Sequence, residues 1–352
     1  MIPLARPPVG DLELAAMGDV LKTGMLVQGP QVARFEALLA ERTGRTHAVV
    51  VSNGTAALSL ALEAIGVGAG DSVLCPAFTW PSPAHAVRLL GGTVRLVDID
   101  PATWNGDPAG YTNLQEIKAA IVIDQFGFPA DHAAITSQLS VPVIVDGACA
   151  IGSTLAGKAS VSHGLIATLS FHPRKVVTTG EGGACLTDDD GLAELLRELR
   201  NHGQGTSGFV RPGGNFRLTD FAAAMGIGQL ERLDAILEER RAIAAFYREA
   251  LPELTFQKPL DGALPNYQTI GAILPGVASV EDRDRRVAAL RERGVQAGIL
   301  SYSIGRLPSI DADKPCPVAD RISDHGLALP CYVGLTENER ETVVAQVRAV
   351  LG

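Results

Sequence analysis

Lysine is scarce in this 352-residue chain: six lysines stand against 24 arginines. A lysine with a chemical task therefore has few rivals. Basic blocks are absent and the net charge is −9. Nucleic acid is a poor partner for such a chain, because its binding rests on neutralising phosphates. No apolar run approaches the roughly 20 residues needed to cross a bilayer, so no membrane association is expected. The start, Met1-Ile2-Pro3-Leu4-Ala5-Arg6, has no charged stretch leading into an apolar one, and no signal peptide is expected. The five cysteines (Cys75, Cys149, Cys185, Cys316, Cys331) are odd in number and lack C-x-x-C spacing. That argues against a disulfide framework and a zinc knuckle, and favours a reducing cytoplasm. The seven histidines are scattered, without H-x-x-x-H spacing, so no metal is expected. No internal repeat or low-complexity tract is present.

With 46% hydrophobic and 20% charged residues, a packed core is available and global disorder is excluded. Apolar, β-rich runs recur at 47–52, 72–75, 93–97, 120–123, 141–145, 166–171 and 183–187. Amphipathic helical patterns lie between them at 56–64, 84–90, 130–139 and 191–200. This alternation predicts an α/β domain with a mainly parallel seven-stranded sheet between helices. The spacing then predicts one long helical region over 218–251, with a possible bend at Gly226 or Gly228. A smaller α+β domain follows, with strands near 267–274 and 296–302 and helices over 280–293 and 337–350. The boundary falls inside the long helix, giving domains 1–235 and 236–352. The glycine-rich segment 203–214 reads as a mobile loop.

Three constellations carry chemistry. The first is Ser52-Asn53-Gly54-Thr55-Ala56-Ala57, where a strand runs into a helix. Unpaired N–H groups at a helix start attract anions and Thr55 adds a hydroxyl, although an ordinary turn has the same appearance. Gly66-Val67-Gly68-Ala69-Gly70 mimics half of a dinucleotide fingerprint. It follows a helix and precedes a strand, the reverse of the required order. The second constellation is Val143-Ile144-Val145-Asp146. A carboxylate at the carboxyl end of a buried strand needs a partner: it either caps the next segment or faces a protonated ring nitrogen. The third is Ser170-Phe171-His172-Pro173-Arg174-Lys175 with Thr178 to Gly183. It places a lysine in a tight turn near the hydroxyls of Ser170 and Thr178. A desolvated lysine can form a Schiff base with an aldehyde. Together they describe a pyridoxal phosphate pocket. Gly54, Thr55 and Ser170 hold the phosphate, Asp146 pairs with the pyridinium nitrogen and Lys175 forms the aldimine. Trp80, at another strand end, either stacks on the ring or is a core aromatic.

The chain resembles the DegT/DnrJ/EryC1/StrS sugar aminotransferases, a family of fold-type I pyridoxal phosphate enzymes. The matching stretches run from Ile2–Pro7 through Gly24–Pro30, Phe35-Glu36, Asn53–Leu58, Val97–Asp100, Ser170–Lys175, Gly180–Gly183, Arg200–Gly203 and Gly214–Leu218 to Leu327–Pro330. The resemblance implies Lys175 as the cofactor lysine and proton shuttle, Asp146 as the pyridinium partner and Trp80 as the stacking residue. Gly54, Thr55 and Ser170 become phosphate ligands, joined by Asn215 from a second subunit of a homodimer with shared sites. It also implies ping-pong transfer of an amino group, from an amino acid such as L-glutamate to a nucleotide-linked keto-sugar. Two departures stand out. Cys149 occupies a cofactor-side position usually filled by glutamine or histidine. Ser301-Tyr302-Ser303 replaces a His-Tyr-x-Pro-like loop that contacts substrate. They raise a second reading, the same chemistry on a keto-cyclitol or another ketone without a nucleotide. A third is a non-catalytic regulatory protein on the same fold. Arg217 and Tyr302 are the candidate substrate residues; for Arg217 an interface salt bridge is the competing reading.

Overall fold

The strand His47-Ala48-Val49-Val50-Val51 is apolar and buried at its last four positions because both of its faces are covered there. In the computed structural model, which describes residues 1–111 and 116–351, this strand divides its side chains between two cores. Val49 and Val51 point into one, and Ala48 and Val50 into the other.

The seven expected strands form one sheet: β1 (His47–Val51), β2 (Ser72–Pro76), β3 (Thr93–Val97), β4 (Ile117–Ile123), β5 (Val143–Asp146), β6 (Ile166–Ser170) and β7 (Gly183–Thr187). Their order is β1-β7-β6-β5-β4-β2-β3. Only β7 runs against its neighbours; the remaining pairs are parallel. Helices α3 (Gly54–Ala64), α4 (Ser82–Leu89) and α6 (Asp190–Arg200) cover one face. Helices α2 (Pro30–Thr43) and α7 (Asp220–Glu231) cover the other, with α5 (His132–Thr136) at its margin. The six strands other than β7 thus deliver their carboxyl ends to one edge, where open α/β sheets bind ligands.

The C-terminal part is a separate layer with its own core. Strands β8 (Thr255–Phe256), β9 (Ile270–Ile273), β10 (Gly298–Ile299) and β11 (Gly326–Leu329) form an antiparallel sheet in the order β8-β9-β11-β10. They pack on α8 (Leu233–Ala250), α9 (Val280–Glu292) and α11 (Glu337–Leu351) through Tyr247, Leu290 and Val343.

Several expectations are corrected. The long helix is two, α7 and α8, and it breaks at Arg232 rather than at a glycine. Gly226 serves packing instead: a Cβ there would lie 2.7 Å from the Phe35 ring. The strand expected over 267–274 starts only at Ile270, because Tyr267 has φ 51°, which no strand residue adopts. The strand expected over 296–302 is two pieces with different partners. Gly298–Ile299 joins the small sheet, whereas Tyr302–Ser303 pairs with Phe78–Thr79. The segment 203–214 is not an open loop but carries a hairpin, Gln204–Gly205 against Gly208–Phe209, fastened by Arg211 to Glu198 at 2.6 Å. Helices α1 (Asp11–Thr23), α2 and α10 (Pro317–His325) were not anticipated. In α1, Leu12, Leu14 and Leu21 are exposed while Glu13 is buried, so its apolar spacing does not mark an inward face.

Candidate active site

Each strand end brings its own chemistry. At the end of β5, Asp146 is 5% exposed. Among the described residues its carboxylate accepts one hydrogen bond, from the Ala148 N–H at 3.0 Å. Burial pushes its proton affinity up. The Ala148 N–H and the nearby Lys175 ammonium oppose that, and Asp124 adds to it. A buried carboxylate with so little compensation is suited to a cationic N–H donor.

Lys175 reaches the same place from the loop between β6 and β7. Its Nζ donates to Cys149 Sγ at 3.0 Å, and Cys149 lies three residues beyond Asp146. The loop is built to hold this lysine. The Lys175 N–H bonds His172 O at 2.8 Å, Val176 and Val177 are buried, and Thr178 and Thr179 both tie back to Phe171 O. From α7, Gln229 grips Thr178 twice, accepting from its N–H at 2.9 Å and donating to its carbonyl at 2.7 Å. His172 acts locally: its ring accepts from the Arg174 N–H at 3.2 Å, and burial holds its proton affinity down. Thr178, near enough in sequence to suggest a phosphate donor, spends its hydroxyl inside the loop.

The third strand end is an anion cradle. Helix α3 begins at Gly54, and its cap is Asn53, whose side chain accepts from the Ala56 N–H at 2.8 Å. The N–H groups of Gly54 and Thr55 are left without helical acceptors. Ser170, at the end of β6, lies so close that a Cβ on Gly54 would sit 2.8 Å from Ser170 Cβ. Thr55 Oγ1 meets Ser82 Oγ at 3.0 Å, which brings in a hydroxyl that the sequence did not single out.

Trp80 is not a core aromatic. Its side chain is 60% exposed and contacts the edge of Tyr302, with ring centroids 5.6 Å apart. Pairing of Tyr302 with Thr79 carries this contact across from the C-terminal layer. Asn215 and Arg217 lie on the segment beside β1, where Arg217 donates to Asn201 Oδ1 at 2.6 Å. Among the described residues no hydrogen bond joins either of them to Gly54, Thr55, Ser170, Asp146 or Lys175, and Arg217 forms no salt bridge.

Sequence reasoning missed Asn266. It is fully buried and donates to Cys149 O at 2.7 Å and Ile151 O at 2.9 Å, clamping the loop after Asp146. No local signal marks it, since it arrives from more than 100 residues away. It also missed Asp124, which directly follows β4 as Asp146 closes β5, and there the signal was available.

A buried, under-compensated carboxylate, a lysine beside it, and a glycine-lined helix start form a coherent set. They fit pyridoxal phosphate, a group with a ring nitrogen, an aldehyde and a phosphate. Fold and site thus define the class: a pyridoxal-phosphate-dependent enzyme with a mainly parallel α/β sheet. Residues 8–348 match the profile of the DegT/DnrJ/EryC1/StrS aminotransferase family, and the chain belongs to that family. It is similar to the aminotransferase TlmJ from Streptoalloteichus hindustanus, at 31% identity and TM-score 0.93, covering 100% of this chain and 99% of that one. Sugar aminotransferase CalS13 from Micromonospora echinospora is 28% identical, with TM-score 0.91 over 99% and 100% of the two chains. A putative sugar aminotransferase from Streptococcus pneumoniae, Spr1654 in its PMP-form, shares the fold at 23% identity and TM-score 0.94, over 99% and 97%.

Proposed function

We propose that this aminotransferase moves an amino group from an amino acid, L-glutamate by family analogy, to the keto group of a nucleotide-linked sugar. The net exchange converts amino acid and ketone into 2-oxo acid and amine. The observation that carries the assignment of roles is the convergence of Lys175, Cys149 and Asp146 at one strand end. Lys175 Nζ binds the cofactor and moves the proton to and from the substrate carbon. Asp146 holds the proton on the ring nitrogen. Gly54, Thr55 and Ser170 bind the phosphate, with Asn215 supplied by a second copy of the chain. Trp80 covers one ring face, and Cys149 lies beside the ring. When bound, the cofactor supplies an electron sink. Arg217 and Tyr302 are the candidate substrate contacts, with the domain boundary placed at residues 235–236 and a cytoplasmic location expected.

The small Cys149 side chain and the altered 301–303 segment favour a second acceptor, a keto-cyclitol or another ketone without a nucleotide. A glutamate-dependent assay over nucleotide keto-sugars and free cyclitols separates the two. Turnover confined to the nucleotide series supports the first reading, and turnover of cyclitols alone overturns it. Lys175→Ala should lose both turnover and the visible absorbance of bound cofactor; retention of both would remove Lys175 from its role.

A further inference from the structure

Behind Asp146 lies a second buried carboxylate. Asp124 follows β4 directly, and its N–H donates to Asp146 O at 3.1 Å, continuing the parallel register of Ile123 against Asp146. Its side chain is wholly inaccessible, yet no arginine or lysine pairs with it among the described residues. Its donors are the Ala130 N–H at 2.8 Å, His132 Nε2 at 2.9 Å and Ser160 Oγ at 2.5 Å. His132 is itself buried and stacks face to face on His163, with centroids 4.9 Å apart and planes within 9°. The other ring nitrogen of His132, Nδ1, has no partner among the described residues.

This cluster touches the site by two routes. Through backbone it braces the carbonyl of Asp146. Through Ser160 it anchors the segment carrying Val161, which packs so closely on Gly147 that a Cβ there would be 2.2 Å from the valine side chain. Ser160 N–H also bonds Ser153 O, fastening the far end of the loop that carries Cys149.

We propose that Asp124, with His132 and Ser160 as its donors, is a positioning residue for Asp146, and that these two donors govern the electrostatic field Asp146 feels. The proposal rests on the reading of Asp146 as the ring-nitrogen partner. The charged groups around the cluster are Asp124, Asp146 and Lys175 on the site side, and His163, Arg45 and Lys158 behind it. Burial, His132, Arg45 and Lys158 all hold the proton affinity of His163 down, against Asp124. Asp124 raises that of Asp146. A bare Asp124 charge would therefore weaken Asp146 as a counter-charge, and the hydrogen bonds from His132 and Ser160 draw that charge off.

The test uses the cofactor-loaded enzyme and reads the midpoint pH at which its visible absorbance changes. Asp124→Asn removes the repelling charge, so Asp146 keeps the ring nitrogen protonated; a cationic ring makes the proton on Lys175 Nζ, which the absorbance reports, easier to lose, and the midpoint falls. His132→Leu strips a donor from Asp124, so the midpoint rises. Each shift should be about half a pH unit or more, the scale of a neighbouring-charge effect. His132→Gln, which keeps one N–H donor, should return most of the way to the wild-type midpoint. Shifts of opposite sign support the proposal, since a merely structural role moves both variants the same way. Shifts of one sign, or none, in proteins with wild-type melting overturn it. Where His132→Leu does not fold, infrared carboxyl titration of cofactor-free Asp124→Asn, with the Asp146 band identified by Asp146→Asn, decides the question. Asp146 should then titrate at lower pH, and an unmoved band overturns the proposal. A wild-type protein that gains no visible absorbance with pyridoxal phosphate instead overturns the reading on which the proposal rests.

Discussion

At the residue scale, the site concentrates its cost in Asp146. Burial raises its proton affinity from the ordinary value of an aspartate. The sign of the stability effect follows. Between the ordinary value and the raised one, the folded protein holds a proton that the unfolded chain has released. Stability of the cofactor-free protein contributed by this group is therefore present in acid and declines as pH rises through that window. Asp146→Asn keeps an acceptor for the Ala148 N–H and removes the charge. It should melt higher than wild type at neutral pH when cofactor-free, with the gain vanishing in acid. The same variant should lose roughly 10²–10⁴-fold in turnover, the range for a positioned proton-holding group. Equal melting at neutral pH in a pH series of thermal scans would show that the carboxylate is better compensated than its contacts indicate. The place of Asp146 at a buried strand end was legible in the sequence, because it closes an apolar run; the residues alone left open whether it caps the next segment or faces a ring nitrogen. Cys149 was legible as a departure, but its contact with Lys175 was not.

Among the elements, the lysine loop depends on α7. Gln229 satisfies both backbone groups of Thr178 from inside the core, and its own amide also donates to Met225 O at 3.1 Å. Gln229→Ala would leave the Thr178 N–H and C=O buried without partners, at a cost of about 1–3 kcal/mol for each unsatisfied group. The expected outcome is a lower melting temperature together with weaker cofactor retention on dialysis. A variant that melts lower but keeps its cofactor as firmly would limit Gln229 to stability. The strands of the large sheet were readable because two-sided burial writes itself as continuous apolar sequence. The break between α7 and α8 was not. Apolar spacing continues across it, and the interruption is a backbone turn at Arg232, whose side chain donates to Gly228 O at 3.0 Å and pairs with Glu13 of α1.

For the whole molecule, the question is whether a second copy of the chain completes the site. Among the described residues Asn215 and Arg217 make no hydrogen bond to the strand-end cluster, and Met25, Leu26, Val27 and Phe209 expose apolar surface. The proposed homodimer with shared sites would cover that surface and carry Asn215 into the site of a second copy. Light scattering should give twice the chain mass of 36.8 kDa. Mixing inactive Lys175→Ala with Asn215→Asp should restore activity through sites that take Lys175 from one chain and Asn215 from the other. A dimer in which no mixture recovers activity would place Asn215 within its own subunit's site.

The sequence by itself determined the sheet, the strand-end chemistry and the class of cofactor. These depend on short runs: two-sided burial needs continuous apolar residues, and a helix start needs a glycine and a cap. Tertiary structure alone decided which distant groups complete the site. Asn266 on the Cys149 loop, Tyr302 on Trp80, and Asp124 with His132 and Ser160 come together only by packing. These contacts join residues whose distance along the chain is set by topology, and local sequence carries no record of the pairing.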